Sequence, residues 1–138
     1  MHLVLGGDQA ERVELRFVFP PLPDREGWLE TFVEIFVKGF RGSIRAFVEI
    51  HDLVRFRAQL EQLYQTLSGR AELTPREGQI VLTLEGNGHG GINLIGTAYA
   101  DPCYGNKLDF SLALDQTFLV EPLRILRTIP SYEASGAA

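Results

Sequence analysis

Residues 79–100 read QIVLTLEGNGHGGINLIGTAYA, and the reading of this stretch decides the fold. Four glycines crowd its centre, EGNGHGGI (85–92). As a phosphate cradle with a neighbouring histidine, the segment would announce a nucleotide-binding protein. As a turn, it would join two strands of an antiparallel sheet. The phosphate reading fails twice. The Lys-Ser/Thr of a phosphate-binding loop is missing, and the residues that follow, INLIGTAYA, resume a strand instead of opening a helix. Ile80, Leu82 and Leu84 alternate upstream, and an Asn/Gly segment between two such runs marks a hairpin whose turn needs positive φ. His89 is then an exposed turn residue.

Working downstream, Asp101–Asn106 is a second turn, after which Leu108, Phe110, Leu112 and Leu114 alternate. The alternation runs on to Phe118, so Asp115-Gln116-Thr117 belongs to a strand or its end. Gln116 shares the phase of the leucines, and an inward glutamine must find hydrogen-bond partners. The structural reading has Asp115 and Thr117 tying the backbone of a closing helix; the alternative is a recognition surface. Pro122 fits the first turn of a short helix at about 121–129, with Leu123, Leu126 and Ile129 on its apolar face. Pro130 ends it, and residues 131–138 form a frayed tail.

Working upstream, the period changes from two to between three and four at His51–Asp52. Leu53, Phe56, Leu60, Leu63, Tyr64 and Leu67 make one apolar stripe among Arg and Gln, predicting an amphipathic helix over about 52–67. Asp52 is its expected N-cap and Ser68–Gly69 its stop. Before it, residues 32–40 and 42–50 read as a hairpin, and Val13, Leu15, Phe17 and Phe19 as a strand with one wet face. PPLPDREG (20–27) interrupts them. Arg70–Thr74 is a short strand closed by the turn Pro75–Gly78. The sum is an α+β domain: a mainly antiparallel β-sheet packed against one amphipathic helix and a short C-terminal helix, with no internal repeat. One domain over 1–138 is expected from the length.

Composition narrows the partners. The chain carries 13 Lys and Arg against 18 Asp and Glu, a net charge of −5. That disfavours sequence-independent nucleic-acid binding and docking on an anionic membrane, and suits a basic protein partner. The one cysteine, Cys103, needs no oxidising compartment, and no apolar run is long enough to cross a bilayer. A cytoplasmic location is expected.

Few residues point to chemistry. His2 stands near the first residue, and His51 beside Asp52 could pass a proton, but neighbours on a helix cap diverge. No HxxxH or CxxC spacing predicts a metal, so no cofactor is expected. Cys103 has only Lys107 nearby to favour a thiolate, and no serine sits in a GxSxG elbow. Trp28, before the FVEIFV run, is expected to be buried at the sheet's open end.

Trp28 before a hydrophobic strand, the helix DLVRFRAQLEQLYQTLSGRAEL (52–73) and the segment LDFSLALDQTFL (108–119) together resemble the Wap-type immunity proteins and related small bacterial proteins. The pattern spans residues 28–129. The resemblance implies a non-enzymatic protein that binds and neutralises a cognate toxin domain, often a nuclease, and it carries over no catalytic residues. Glu34, Glu49, Glu61 and Tyr99 are the candidate partner contacts, chosen as exposed acids and an aromatic. A ligand-binding or enzymatic domain, with a pocket lined by Gln116, His51 or Tyr64 between sheet and helix, stands as the alternative, as does a structural homodimer.

Overall fold

In a computed structural model, residues 1–7, 10–20, 27–102 and 104–129 are described, Tyr104 by its backbone. PPLPDREG (except its ends), Cys103, Pro130 and the tail 131–138 lie outside them. Strands β1 (His2–Gly6), β2 (Arg12–Val18), β3 (Trp28–Val37) and β4 (Phe40–Glu49) lead into helix α1 (Ile50–Thr66). Strands β5 (Ser68–Leu73), β6 (Ile80–Asn87), β7 (Gly91–Asp101) and β8 (Tyr104–Asp115) follow. A 3-10 turn, Gln116–Leu119, then leads into helix α2 (Val120–Leu126).

The α+β class and the antiparallel pairing hold, but the strands divide into two sheets, ordered β1-β2-β3-β4 and β5-β6-β7-β8. Each half is four strands followed by a helix. The expectation of no internal repeat is therefore corrected at the level of architecture, since two unlike sequences spell the same element order. The stretch that opened the reading is the β6–β7 hairpin, with Glu85 opposite Asn93 and Leu84 opposite Leu94. Leu3, Leu5, Val13, Leu15 and Val33 of the first sheet join Leu82, Leu84, Leu94 and Leu112 of the second in one buried cluster with both helices. Each such side chain contributes roughly 1.5–3 kcal/mol on leaving water.

His2 belongs to β1 and pairs with Arg16, with Leu3 opposite Leu15. The short run HLVLG escaped the sequence reading because Gly-Gly and charge follow it within one turn's length. α1 begins two residues before the expected start. Glu49 is its N-cap and Asp52 stands at the third helical position, in a reciprocal capping box. Asp52 is therefore half of the cap. Leu53, Phe56, Leu60 and Leu63 bury the predicted stripe. At its other end Leu67 takes the left-handed conformation, φ 62°, and β5 starts at once.

That tight exit explains part of the glycine segment. Gly86 lies under the end of α1, where an added Cβ would collide with the Leu67 carbonyl and Leu63. Gly88 donates its N–H to the Leu67 carbonyl at 2.8 Å, satisfying a group that helix termini leave open. The Asn87 side chain closes the turn by accepting from the N–H of His89 at 2.8 Å and of Gly91 at 3.1 Å.

Candidate functional site

Three places gather polar chemistry. The first is the β4–α1 junction. Glu49, expected to be an exposed acid, is only 4 % exposed. It ends β4 opposite Trp28, and Arg76 reaches to 3.4 Å from its Oε1 while standing over the half-buried Trp28 ring at 5.7 Å. The Glu49 N–H donates to Asp52 Oδ2 at 3.0 Å, and Arg55 donates to Asp52 Oδ1 at 3.0 Å. His51 does not diverge: Nδ1 lies 3.3 Å from Glu49 Oε2 and Nε2 lies 3.5 Å from Asp52 Oδ1. The turn of the capping box folds the two carboxylates back around the ring. No HxxxH or CxxC spacing marks this junction in the sequence, yet these three groups stand close enough to share a cation, with ligand atoms within 4.8 Å of one another. The charges are already opposed, since Arg55 faces one carboxylate and Arg76 the other. The junction is a polar network that fastens strand to helix, although the buried Glu49 Oε1 has no hydrogen-bond partner among the described residues.

The second place is the outer face of the first sheet. Period two along β2, β3 and β4 puts one set of side chains outward, and the register aligns them across strands. Arg12, Phe36 and Arg41 form one row, Glu14, Glu34 and Ser43 the next, and Arg16, Phe32 and Arg45 the third. Phe36 takes guanidiniums from two sides, Arg12 at 3.9 Å and Arg41 at 4.5 Å from its centroid. Arg16 lies over Phe32 at 4.5 Å, and Arg45 over Phe47 at 5.4 Å. Glu14 pairs with Arg12 at 3.2 Å, and Glu30 with Arg45 at 2.8 Å. Arg16, Arg41 and Glu34 have no ion-pair partner among the described residues. Past Glu14 the face runs into a cavity of about 310 Å³, lined by Val4, Gly6, Phe118 and Pro122 among others. Sequence reading missed this face, because Arg12 and Arg16 of β2, Phe32 and Phe36 of β3, and Arg41 and Arg45 of β4 come together only through the strand register.

The outer face of the second sheet differs. Thr83, Ile95 and Ser111 stand in one row, with Thr97 and Asp109 in the next. Ile95 is 49 % exposed. Tyr99 is half-buried beside Lys107, whose ammonium lies 5.6 Å from the ring centroid and 3.5 Å from Asp109. Asp109 first, then Tyr99, raises the Lys107 pKa above its ordinary value. A cavity of about 450 Å³ lies at the hairpin end of this sheet, lined by Glu85, Asn87, Asn93 and Ala113 among others.

The four predicted contacts are thus dispersed. Glu34 is exposed on β3, Glu49 is buried, half-buried Glu61 on α1 pairs with Arg127 at 3.2 Å, and Tyr99 is on β7. Gln116 donates to the Tyr64 carbonyl at 2.9 Å, and Asp115 Oδ1 accepts the Thr117 N–H at 2.8 Å as the cap of the 3-10 turn. The structural reading of LDQTF therefore stands. Leu53, Phe56, Leu60 and Leu63 are buried along the face of α1 at which a pocket is the alternative, and there Gln116 donates to the backbone carbonyl of Tyr64.

No helix of the described residues is long and apolar enough to cross a membrane. No curated protein matches the chain. Among solved structures, the crystal structures of Trypanosoma bruciei MRP1/MRP2 are similar in fold, with a TM-score of 0.54 and 14 % identity over 100 % of this chain and 87 % of that one. At this identity the likeness is of fold alone. The Immunity protein WapI-like family matches residues 4–129, from β1 to beyond α2. The chain belongs to the WapI-like immunity protein family.

Proposed function

We propose that this protein neutralises a cognate bacterial toxin domain by binding over its working surface, as a non-enzymatic partner in the cytoplasm of the producing cell. The observation that carries the reading is the family match across residues 4–129, which includes both four-stranded halves and both helices. An occluding partner needs a rigid scaffold and broad solvent-facing surfaces, and the two sheets supply both. It needs no catalytic group, and the polar cluster at Glu49, His51 and Asp52 is spent on joining β4 to α1. A homodimer is compatible with occlusion but not required by it.

The test is co-expression with the toxin domain encoded beside this protein's gene. Rescue of growth and a stable complex of the two purified chains are expected. Unchanged toxicity, with no complex formed, would overturn the reading.

A further inference from the structure

We propose that the outer face of the first sheet is where the toxin domain docks, and that Arg16 and Arg41 grip carboxylates of an acidic patch on it. The inference rests on the toxin-binding reading and names the surface that serves it. Solvent-facing sheet surfaces are ordinarily polar, yet this one carries three phenylalanines between arginines. Arginine and aromatic residues are the types enriched where protein interfaces concentrate their binding energy.

Two arginines are poised for a ligand. Arg12 and Arg45 already hold glutamates, whereas Arg16 and Arg41 rest on Phe32 and Phe36 with no carboxylate among the described residues. Stacking holds a guanidinium flat, so less side-chain freedom is lost when its planar fork meets a carboxylate. Against the chain's net charge of −5, this face carries more arginine than glutamate. The local sign selects an acidic contact patch, the reverse of the basic partner that net charge alone suggests. The cavity beside the partly exposed Phe118 adjoins Glu14 on the same face, and its lining is mixed, with Val4, Phe118 and Pro122 beside Glu14, Thr117 and Glu121.

A single-stranded nucleic acid fits less well. Base stacking needs open ring faces, and here guanidiniums cover Phe36 from Arg12 and Arg41, and Phe32 from Arg16.

The test measures toxin binding and growth rescue with the full chain and with R16E/R41E. Circular dichroism and the melting temperature confirm that the variant folds, as expected for two exposed side chains. Binding is expected to weaken by about 100-fold or more. R16K/R41K, which keeps the charge but loses the planar fork, should fall between. E85K/D109K on the second sheet should bind like the parent. Wild-type neutralisation that R16E/R41E leaves intact would overturn this surface while sparing the toxin-binding reading. Failure of the wild type to bind any toxin would overturn both. Binding of single-stranded oligonucleotides, abolished by R16E/R41E, would overturn the choice of a protein occupant.

Discussion

Gln116, on the 3-10 turn after β8, donates its side-chain amide to the backbone carbonyl of Tyr64 in α1 at 2.9 Å, across 52 residues of chain. The bond ties the end of the second sheet to the helix that follows the first. Its loss would leave the Tyr64 carbonyl with one partner fewer in a half-buried site. Q116A should lower stability by about 1–2 kcal/mol in urea unfolding. Q116E, which turns a carboxylate toward that carbonyl, should cost more at pH 7 than at pH 3. Equal stability of Q116A and the parent would mean that the tether carries nothing.

Gly96 of β7 lies opposite Phe110 of β8, and a Cβ added there would run into the ring. G96A should destabilise by roughly 1–3 kcal/mol through overpacking. F110L vacates part of that space, so the double variant should lose less than the two single losses added together. Strict additivity across the cycle would refute the contact.

Leu67 is left-handed at φ 62°, a conformation that costs a branched residue roughly 1–2 kcal/mol. L67G should raise stability by about 1 kcal/mol, the reverse of what glycine does inside a helix. The midpoint of urea unfolding measures it, and a marked fall would show that the Leu67 side chain matters more than its backbone.

The Asp52 side chain is buried, accepts the Glu49 N–H and meets Arg55. D52A should cost roughly 2–4 kcal/mol, because it removes a cap and strands a charge network. H51A, which touches the same carboxylates from a half-exposed position, should cost far less. Thermal melts of the two variants would reverse in order if His51 were the organising residue.

Glu121 holds its carboxyl below the ordinary carboxylate range because Arg124 donates to it. A carboxylate with a depressed folded pKa contributes stability above its unfolded pKa and loses it as pH falls through the folded value. E121Q should therefore be slightly less stable than the parent at pH 7, and the two stability–pH curves should converge as pH falls below about 4.5, which flattens the acid limb. The exposure of this pair keeps the effect small, and salt should shrink it further.

Much of the architecture was legible. Alternation marked β2, β3, β4, β6, β7 and β8, the three-to-four spacing marked α1, and Pro122 marked the start of α2. Those signals are local: each reports which face of an element meets the core. β1 was not legible, since five residues before Gly-Gly carry too little pattern and are strand only because Leu3 and Leu5 find Leu15 and Val13. The burial of Glu49 escaped for a related reason, because its cover comes from Arg76 and Trp28, distant in sequence.

By itself the sequence determined the α+β class, the antiparallel hairpins and the turn at EGNGHGGI, because side-chain periodicity and glycine conformations act over a few residues. Only the tertiary structure decided that the strands split into two sheets, and that Arg12 and Arg41 close on Phe36. Strand registers and their neighbours are set by the burial of both inner faces in one core, a long-range balance that no local pattern encodes.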